Sequence, residues 1–309
     1  CKLECNIKKN RINPMYIHMK RNLLLVVIMK VVLIMCLLPD IVIAQTGELH
    51  RVETLDGNVL IGILVSEDDE RITIRVESMG EIVIERVRIK SLTRLEDGKM
   101  KNGEYWYPNP SATRYFFAPN AIGLKKGTGY YQNAWILFNN VNFGLSDHFS
   151  IGGGIVPMFL FGVSETPVWI LPKVTFPVSE DQFHLGAGAM LGGVVGADSD
   201  LVGIFYGVGT LGDRERNLTV GVGYGYAGSE ISTTPVINIS GLIRTGRRIY
   251  LLSENYFVPE AGSTGVVSFG MRWTAENFAV DFGLFTPLEN TDGWIGLPWL
   301  GVNIPFGRD

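Results

Sequence analysis

Five charged residues interrupt stretches of sequence that are otherwise apolar or small. Each stretch alternates with a period of two, as an extended strand does, so every charge can be assigned to one face of its strand. The charges fall on the face opposite the large apolar side chains. On such an inner face they could line a polar passage and select solutes, or pair with one another and fill the interior. The five residues are Lys173, Arg244, Glu254, Arg272 and Asp281.

Arg272 and Asp281 are predicted to be neighbours on one face. The strand that carries Arg272 places Phe269 and Met271 on its other face, and the next strand places Phe282 opposite Asp281. This brings the guanidinium and the carboxylate within diagonal reach. Both signs occur among the five charges, which favours pairing, whereas the many glycines on the inner face leave room for a passage. Three aromatic residues are assigned to filling the interior: Phe205, Tyr250 and Tyr256.

The residue types give little support for catalysis. The histidines beyond the predicted processing site have no serine or aspartate at the spacing of a nucleophile or a general base. The nearest approach is His184, which lies close in sequence to Ser179 and Asp181. No spacing typical of metal ligands is present either. We therefore predict no enzymatic role, no catalytic residue, no cofactor and no metal site.

The N-terminal residues indicate export. Translation is predicted to start at Met19, followed by a basic stretch, an apolar stretch over 23–38 and a small-residue cleavage site after Ala44. This pattern resembles a secretory signal peptide, and residues 1–44 are assigned to it and to the sequence upstream. The mature chain would then contain no cysteine. The formal net charge of the full 309-residue sequence, -4, gives no reason to expect a nucleic-acid partner. The three cysteines, all before the cleavage site, are Cys1, Cys5 and Cys36.

A small β-domain is predicted over residues 48–97. Short alternating runs are separated there by tight-turn signals such as Asp56 followed by Gly57. Residues 98–112 form a predicted linker that is rich in turn formers and charge and contains an aromatic triplet over 105–107. That triplet fits either a membrane interface or a latch against the small domain.

Residues 113–309 are predicted to form an antiparallel transmembrane β-barrel of about twelve strands, with ten also possible. Residues 218–227 carry Leu218, Val220, Val222 and Tyr224 on one face, and mostly glycine on the other. The first predicted strand is 114–123 and the second is 130–144. Short turns recur at one end of the strands and longer loops at the other, an asymmetry typical of outer-membrane barrels.

These features together resemble Gram-negative outer-membrane β-barrel proteins preceded by a small SH3-like or Sm-like periplasmic domain. The resemblance implies contact with outer-membrane lipid, a periplasmic N-terminal domain, and a structural role or the passage of small solutes. Two alternatives remain: a membrane-anchored interaction module whose periplasmic domain binds a protein, and a soluble barrel that binds an apolar ligand. The soluble alternative requires charge on the outer face, which the predicted strands lack. The sequence leaves the oligomeric state open.

Overall fold

The computed structural model describes residues 48–95, 99–101, 104–179, 181–259, 264–288 and 296–307. Within these ranges strands are the main regular structure, and helical structure is limited to two short 3-10 turns, Arg86–Arg88 and Met158–Phe161. No helix in the described part is both long and apolar enough to cross a bilayer. The predicted signal peptide, with its cleavage site after Ala44, lies outside the described residues.

The N-terminal part is an antiparallel sheet of five strands in the order β4-β3-β2-β1-β5. Alternation buries one face, and Val52, Ile72 and Ile74 are completely shielded from solvent at its centre. A two-stranded ribbon of β6 and β7 follows. The strands are β1 Leu49–Thr54, β2 Val59–Glu67, β3 Arg71–Val76, β4 Gly80–Glu85, β5 Ile89–Leu95, β6 Lys99–Lys101 and β7 Glu104–Trp106.

The remaining strands form one large antiparallel sheet that closes on itself. β9 pairs with β10 and β21 pairs with β8, so the sheet has no free edge where its ends meet. The strands are β8 Gly129–Ala134, β9 Phe138–Gly144, β10 Phe149–Ile155, β11 Thr166–Ile170, β12 Lys173–Ser179, β13 Phe183–Val195, β14 Val202–Gly212, β15 Arg216–Ala227, β16 Glu230–Ile231, β17 Val236–Arg244, β18 Ile249–Val258, β19 Thr264–Thr274, β20 Ala279–Pro287 and β21 Leu297–Phe306.

The closed sheet is a twelve-stranded barrel, so the predicted all-β, antiparallel barrel of about twelve strands is confirmed. β11 and β12 both pair with β10 on one side and β13 on the other, so they are two halves of one strand interrupted at Leu171 and Pro172. The short β16 only extends the β15 end of the sheet.

Two of the predicted strands are wrong, and the two errors together leave the total number of barrel strands unchanged. Residues 114–123 form no barrel strand; they lie inside the barrel. Residues 130–144 form a hairpin of two strands, β8 and β9, instead of one strand. The turn between them uses positive φ angles at Trp135 and Ile136, which bulky residues rarely adopt. Because no glycine, proline or aspartate marks this turn, the sequence reads as one continuous strand.

The wall of the barrel has two faces of different chemistry. On β15, Val220, Val222 and Tyr224 are exposed on the outside, whereas Thr219, Gly221 and Gly223 are buried on the inside. The outer apolar belt continues around the barrel. Its members on other strands include Leu185, Phe205, Leu211, Phe269, Met271, Phe282 and Leu300.

The two ends of the barrel differ in the length of their connections. At one end, which we call the short-turn end, three or four residues join consecutive strands, as in 145–148, 213–215, 245–248 and 275–278. The opposite end, the long-loop end, carries longer connections such as 156–165 and 228–235, with the tight β8–β9 turn as an exception. Gly129 pairs with Phe306, so the first and last barrel strands both terminate at the short-turn end.

The packing of the inner face can be tested by comparing alanine substitutions at an inner and an outer glycine. Gly283 of β20 lies under the buried ring of Phe116, and an added Cβ would come within 2.5 Å of the Phe116 Cζ atom. We expect Gly283→Ala to lower the free energy of unfolding by about 1–3 kcal/mol because the ring must move. Urea titration of the detergent-folded protein measures this.

The matched control is Gly207→Ala. Gly207 faces outward on β14 with nothing within 4 Å of its added Cβ, so the unfolding midpoint should hardly change. Combining Gly283→Ala with Phe116→Leu should restore part of the lost stability. Equal midpoints for the two alanine variants would contradict the packing of Phe116 on β20.

Candidate functional site: a luminal segment and its charged anchors

Residues 109–122, which we call the luminal segment, fill a large part of the barrel interior. The segment turns back on itself, with the Tyr115 N–H donating to the Ala118 carbonyl at 2.9 Å and the Asn120 N–H donating to the Thr113 carbonyl at 3.2 Å. The side chains of Tyr115 and Phe116 at the turn are completely buried. Most peptide groups of the segment are not paired with a neighbouring strand. Side chains of the barrel wall must therefore supply their hydrogen-bond partners.

Lys173 of β12 binds one side of the luminal segment. Its Nζ lies 3.3 Å from the Thr113 carbonyl oxygen, 3.1 Å from that of Asn120 and 3.0 Å from that of Ile122. An ammonium has three donors, so these three acceptors use all of them. One inward-facing lysine thus satisfies carbonyl groups on both arms of the segment.

Glu254 of β18 binds the turn of the segment. One carboxylate oxygen accepts hydrogen bonds from the backbone N–H groups of Phe117 and Ala118, each at 2.9 Å. The other oxygen accepts from the Tyr256 hydroxyl at 2.8 Å. Charge-assisted hydrogen bonds of this kind are about twice as strong as neutral ones. Glu254 is 1% exposed, so water does not weaken them.

Arg272 and Asp281 form a fully buried ion pair directly opposite each other on β19 and β20. The guanidinium binds the carboxylate with two nitrogens, at 2.6 and 3.0 Å. It also donates to the carbonyl oxygens of Ser111 at 2.7 Å and Tyr115 at 2.6 Å. The predicted proximity of the two residues is therefore tighter than the diagonal contact expected from the sequence.

A second arginine, Arg114, belongs to the luminal segment itself. It donates to the carbonyl oxygens of Tyr115 and Phe116 and to the Asn303 side chain, and lies 3.8 Å from the Asp281 carboxylate. It is 3% exposed. Its position at the start of the predicted strand 114–123 gives no indication of this role. The available signal for it is a charged residue in a predicted strand that does not alternate between apolar and polar residues.

Arg244 lies apart from the other charges, at the short-turn end. Its guanidinium pairs with Glu215 at 2.5 Å and lies over the ring of Trp106, 4.6 Å from the ring centroid. It therefore contacts the stretch that precedes the luminal segment. Tyr107 follows in that stretch, where burial, and then the nearby carboxylate of Glu276, raise the pKa of its hydroxyl.

Polar residues of the wall complete the attachment of the luminal segment, and no sequence motif marks them. Gln132 donates to the Phe116 carbonyl at 2.8 Å, and the Thr210 hydroxyl accepts from the Ala121 N–H at 2.8 Å. The Tyr115 hydroxyl donates to Asn217 at 2.6 Å. Alternation along the strands predicts that these side chains face inward. Their role as hydrogen-bond partners requires a segment in the lumen, which alternation does not predict.

One of the three aromatic residues assigned to the interior faces the other way. Phe205 is 48% exposed on the outer face of β14, and its neighbour Tyr206 points inward instead. Glycines flank Phe205 and Tyr206 and have no side chain, so the sequence does not mark which face of this strand is apolar. Tyr250 and Tyr256 do lie on the inner face, with Tyr250 completely buried.

A cavity of about 190 Å³ remains between the luminal segment and the wall. Ser150, near the short-turn end of β10, and Val236, at the long-loop end of β17, both line it. The cavity therefore follows the segment along much of the barrel height. Most of its lining is apolar or aromatic, with a few hydroxyl and amide groups and the cationic side chains of Arg114 and Lys173.

Two histidines of the barrel, His148 and His184, have different neighbours in the described part of the chain. His148 contacts the Thr175 carbonyl through Nδ1 at 3.1 Å, and His184 lies on β13 opposite Pro177. Within the described ranges no three His, Cys, Asp or Glu side chains cluster as metal ligands would. The absence of enzymatic activity stays a prediction.

The fold and its interior define the class of this chain: a closed twelve-stranded antiparallel β-barrel whose lumen holds a segment of the same chain. No protein-family model matches the sequence, and no curated protein matches it.

Some solved structures are partly similar. A KdgM porin is 6% identical with a TM-score of 0.43, over 59% of this chain and 99% of the porin. A KdgM porin in complex with disordered oligogalacturonate is 5% identical with a TM-score of 0.42, over 59% and 98%. The outer-membrane expressed OmpT of Vibrio cholerae is 12% identical with a TM-score of 0.32, over 84% and 94%. Values this low say nothing about what this chain does.

The buried ion pair can be tested by removing its cation. Arg272→Met leaves the Asp281 carboxylate buried without this cation and removes two hydrogen bonds to carbonyl groups of the luminal segment, so we expect the free energy of unfolding to fall by about 3–5 kcal/mol. Arg248→Met, at a turn of the short-turn end, is the matched control and should cost less than about 1 kcal/mol. Urea midpoints followed by tryptophan fluorescence compare the two. Equal midpoints would mean that the pair does not anchor the segment.

Proposed function

We propose that this chain is an integral outer-membrane β-barrel through which small solutes pass, with the luminal segment narrowing the lumen. One observation carries the proposal: the closed wall is apolar outside and carries charged and polar residues among apolar ones inside, and a cavity runs beside the segment. A wall of this kind is stable when lipid surrounds it and water or polar groups fill it.

The outer belt argues for membrane insertion over the soluble alternative. Val220, Phe269 and Phe282 are each about half exposed, and they belong to strands on different parts of the barrel. A soluble protein seldom leaves so much contiguous apolar surface in contact with water. In a bilayer the same surface is solvated by lipid, and the closed sheet leaves few backbone groups unpaired.

The position of the cavity supports solute passage. Its lining extends from Ser150 to Val236, so only part of the barrel height would have to open for a small molecule to cross. The fixed charges that the sequence suggested as selectivity groups are engaged instead with the luminal segment or, for Arg244, with the short-turn end. Passage on this proposal is restricted by size and by the movement of the segment.

The short-turn end is assigned to the periplasm in this proposal, following the usual asymmetry of such barrels. Both barrel termini lie at that end, so the five-stranded N-terminal sheet would be periplasmic too. The predicted export signal and the resemblance of residues 48–97 to an SH3-like domain agree with this arrangement. They remain predictions.

Membrane insertion has a direct test. The protein should be recovered in the outer-membrane fraction, resist extraction with carbonate and run faster on a gel before boiling than after it. Closed barrels resist detergent until they are heated, because every strand is paired on both sides. Recovery in the soluble fraction without detergent would exclude the proposal.

Passage is tested by planar-bilayer recording of the wild type and Glu254→Gln. Glutamine has a similar shape but lacks the charge that holds the N–H groups of Phe117 and Ala118, so the luminal segment should leave its position more often. We expect a small wild-type conductance that rises severalfold in the variant. Glu230→Gln, exposed on β16, is the control and should match the wild type. Silence of all three proteins would rule out passage.

A further inference from the structure

We propose that the luminal cavity binds a small organic anion that has one carboxylate and an apolar body. The inference rests on the proposed function in so far as it names the class of solute, and its test does not depend on conductance. Two cationic side chains, Lys173 and Arg114, line the cavity. No aspartate or glutamate of the described chain lines it.

Lys173 is a buried cation without a counter-ion. It is 8% exposed, and the groups around its Nζ are three carbonyl oxygens. No carboxylate of the described chain forms an ion pair with it. Dipoles reduce the cost of burying a charge but do not neutralise it, and buried charges in proteins are usually paired. A charge of this kind inside a membrane barrel points to a ligand of the opposite sign.

Arg114 supplies an unused donor at the same cavity. Its two terminal nitrogens bind carbonyl groups and Asn303, but its Nε is buried and has no hydrogen-bond partner. Leaving a buried donor without an acceptor costs about 1–3 kcal/mol. A ligand carboxylate could satisfy this Nε–H. The cavity thus offers a ligand a cationic side chain, Lys173, and a free donor, the Nε–H of Arg114.

The rest of the cavity wall selects the body of that ligand. Phe117, Met190, Ile204 and Tyr206 provide apolar and aromatic surface. A cavity of about 150 Å³ in another protein accommodates benzene, and this one measures about 190 Å³. A benzoate-sized molecule fits this volume. A polyhydroxylated sugar chain would leave most of its hydroxyl groups unsatisfied against such a wall.

Titration calorimetry of the full chain in a non-ionic detergent tests the site, with benzoate and its uncharged analogue benzyl alcohol as probes. We expect saturable one-to-one binding of benzoate and binding of benzyl alcohol that is weaker by about tenfold or more. Lys173→Met removes the charge and keeps the apolar stem, so it should weaken benzoate about tenfold and leave benzyl alcohol unchanged. Lys126→Met, an exposed lysine before β8, is the charge-matched control and should bind as the wild type does.

A second variant covers the case in which Lys173→Met does not fold. Met190→Trp adds bulk to the cavity wall and leaves both cations in place, so benzoate binding should be lost in a protein that still shows heat-dependent gel mobility. Equal affinity for benzoate and benzyl alcohol, or benzoate binding unaffected by either variant, would overturn the inference. Conductance without benzoate binding would refute this site alone and leave the proposed passage intact.

Discussion

The peptide groups of the luminal segment lie inside a barrel whose strands are already paired, and this constraint shapes the whole interior. Each buried N–H or carbonyl needs a partner, and each charged side chain on the inner wall needs one too. The two requirements are met together: Lys173 and Arg272 donate to carbonyl groups, and Glu254 accepts from N–H groups. Neither the segment nor the wall would be stable in this form without the other.

This mutual dependence changes what the charged side chains of the inner wall act on. Charges that project freely into a lumen would act on passing ions, whereas these are held by backbone groups and by one another. Arg272 and Asp281 neutralise each other, and Glu254 is bound by a hydroxyl and two amides. Lys173, like Glu254, is bound by dipoles only, in its case three carbonyl groups. Lys173 and Arg114 line the remaining cavity whereas Glu254 and Asp281 do not, which is why the ligand inferred there is an anion.

Contacts at the short-turn end attach the luminal segment to the rest of the chain. The chain enters and leaves the lumen on the side where both barrel termini lie, with Arg244 holding Trp106 and the Arg214 guanidinium donating to the Gly123 carbonyl at 2.9 Å. A segment attached in this way can loosen without breaking a barrel strand. Gating by the luminal segment is consequently compatible with a wall that stays closed to lipid.

The sequence by itself determined the all-β class, the two faces of the wall and the unequal ends, because alternation and turn residues are local properties of the chain. It also brought Arg272 and Asp281 together, since adjacent strands with a known inner face fix which side chains meet. Only the tertiary structure decided that residues 114–123 lie in the lumen and that residues 130–144 form a hairpin. The segment 109–122 has no period of its own, because its hydrogen bonds come from side chains distant in sequence, on β12, β18 and β19. The turn at Trp135 and Ile136 lacks turn-forming residues, and contacts with β21 hold it, including the bond from the Trp135 indole to the Pro298 carbonyl at 2.7 Å.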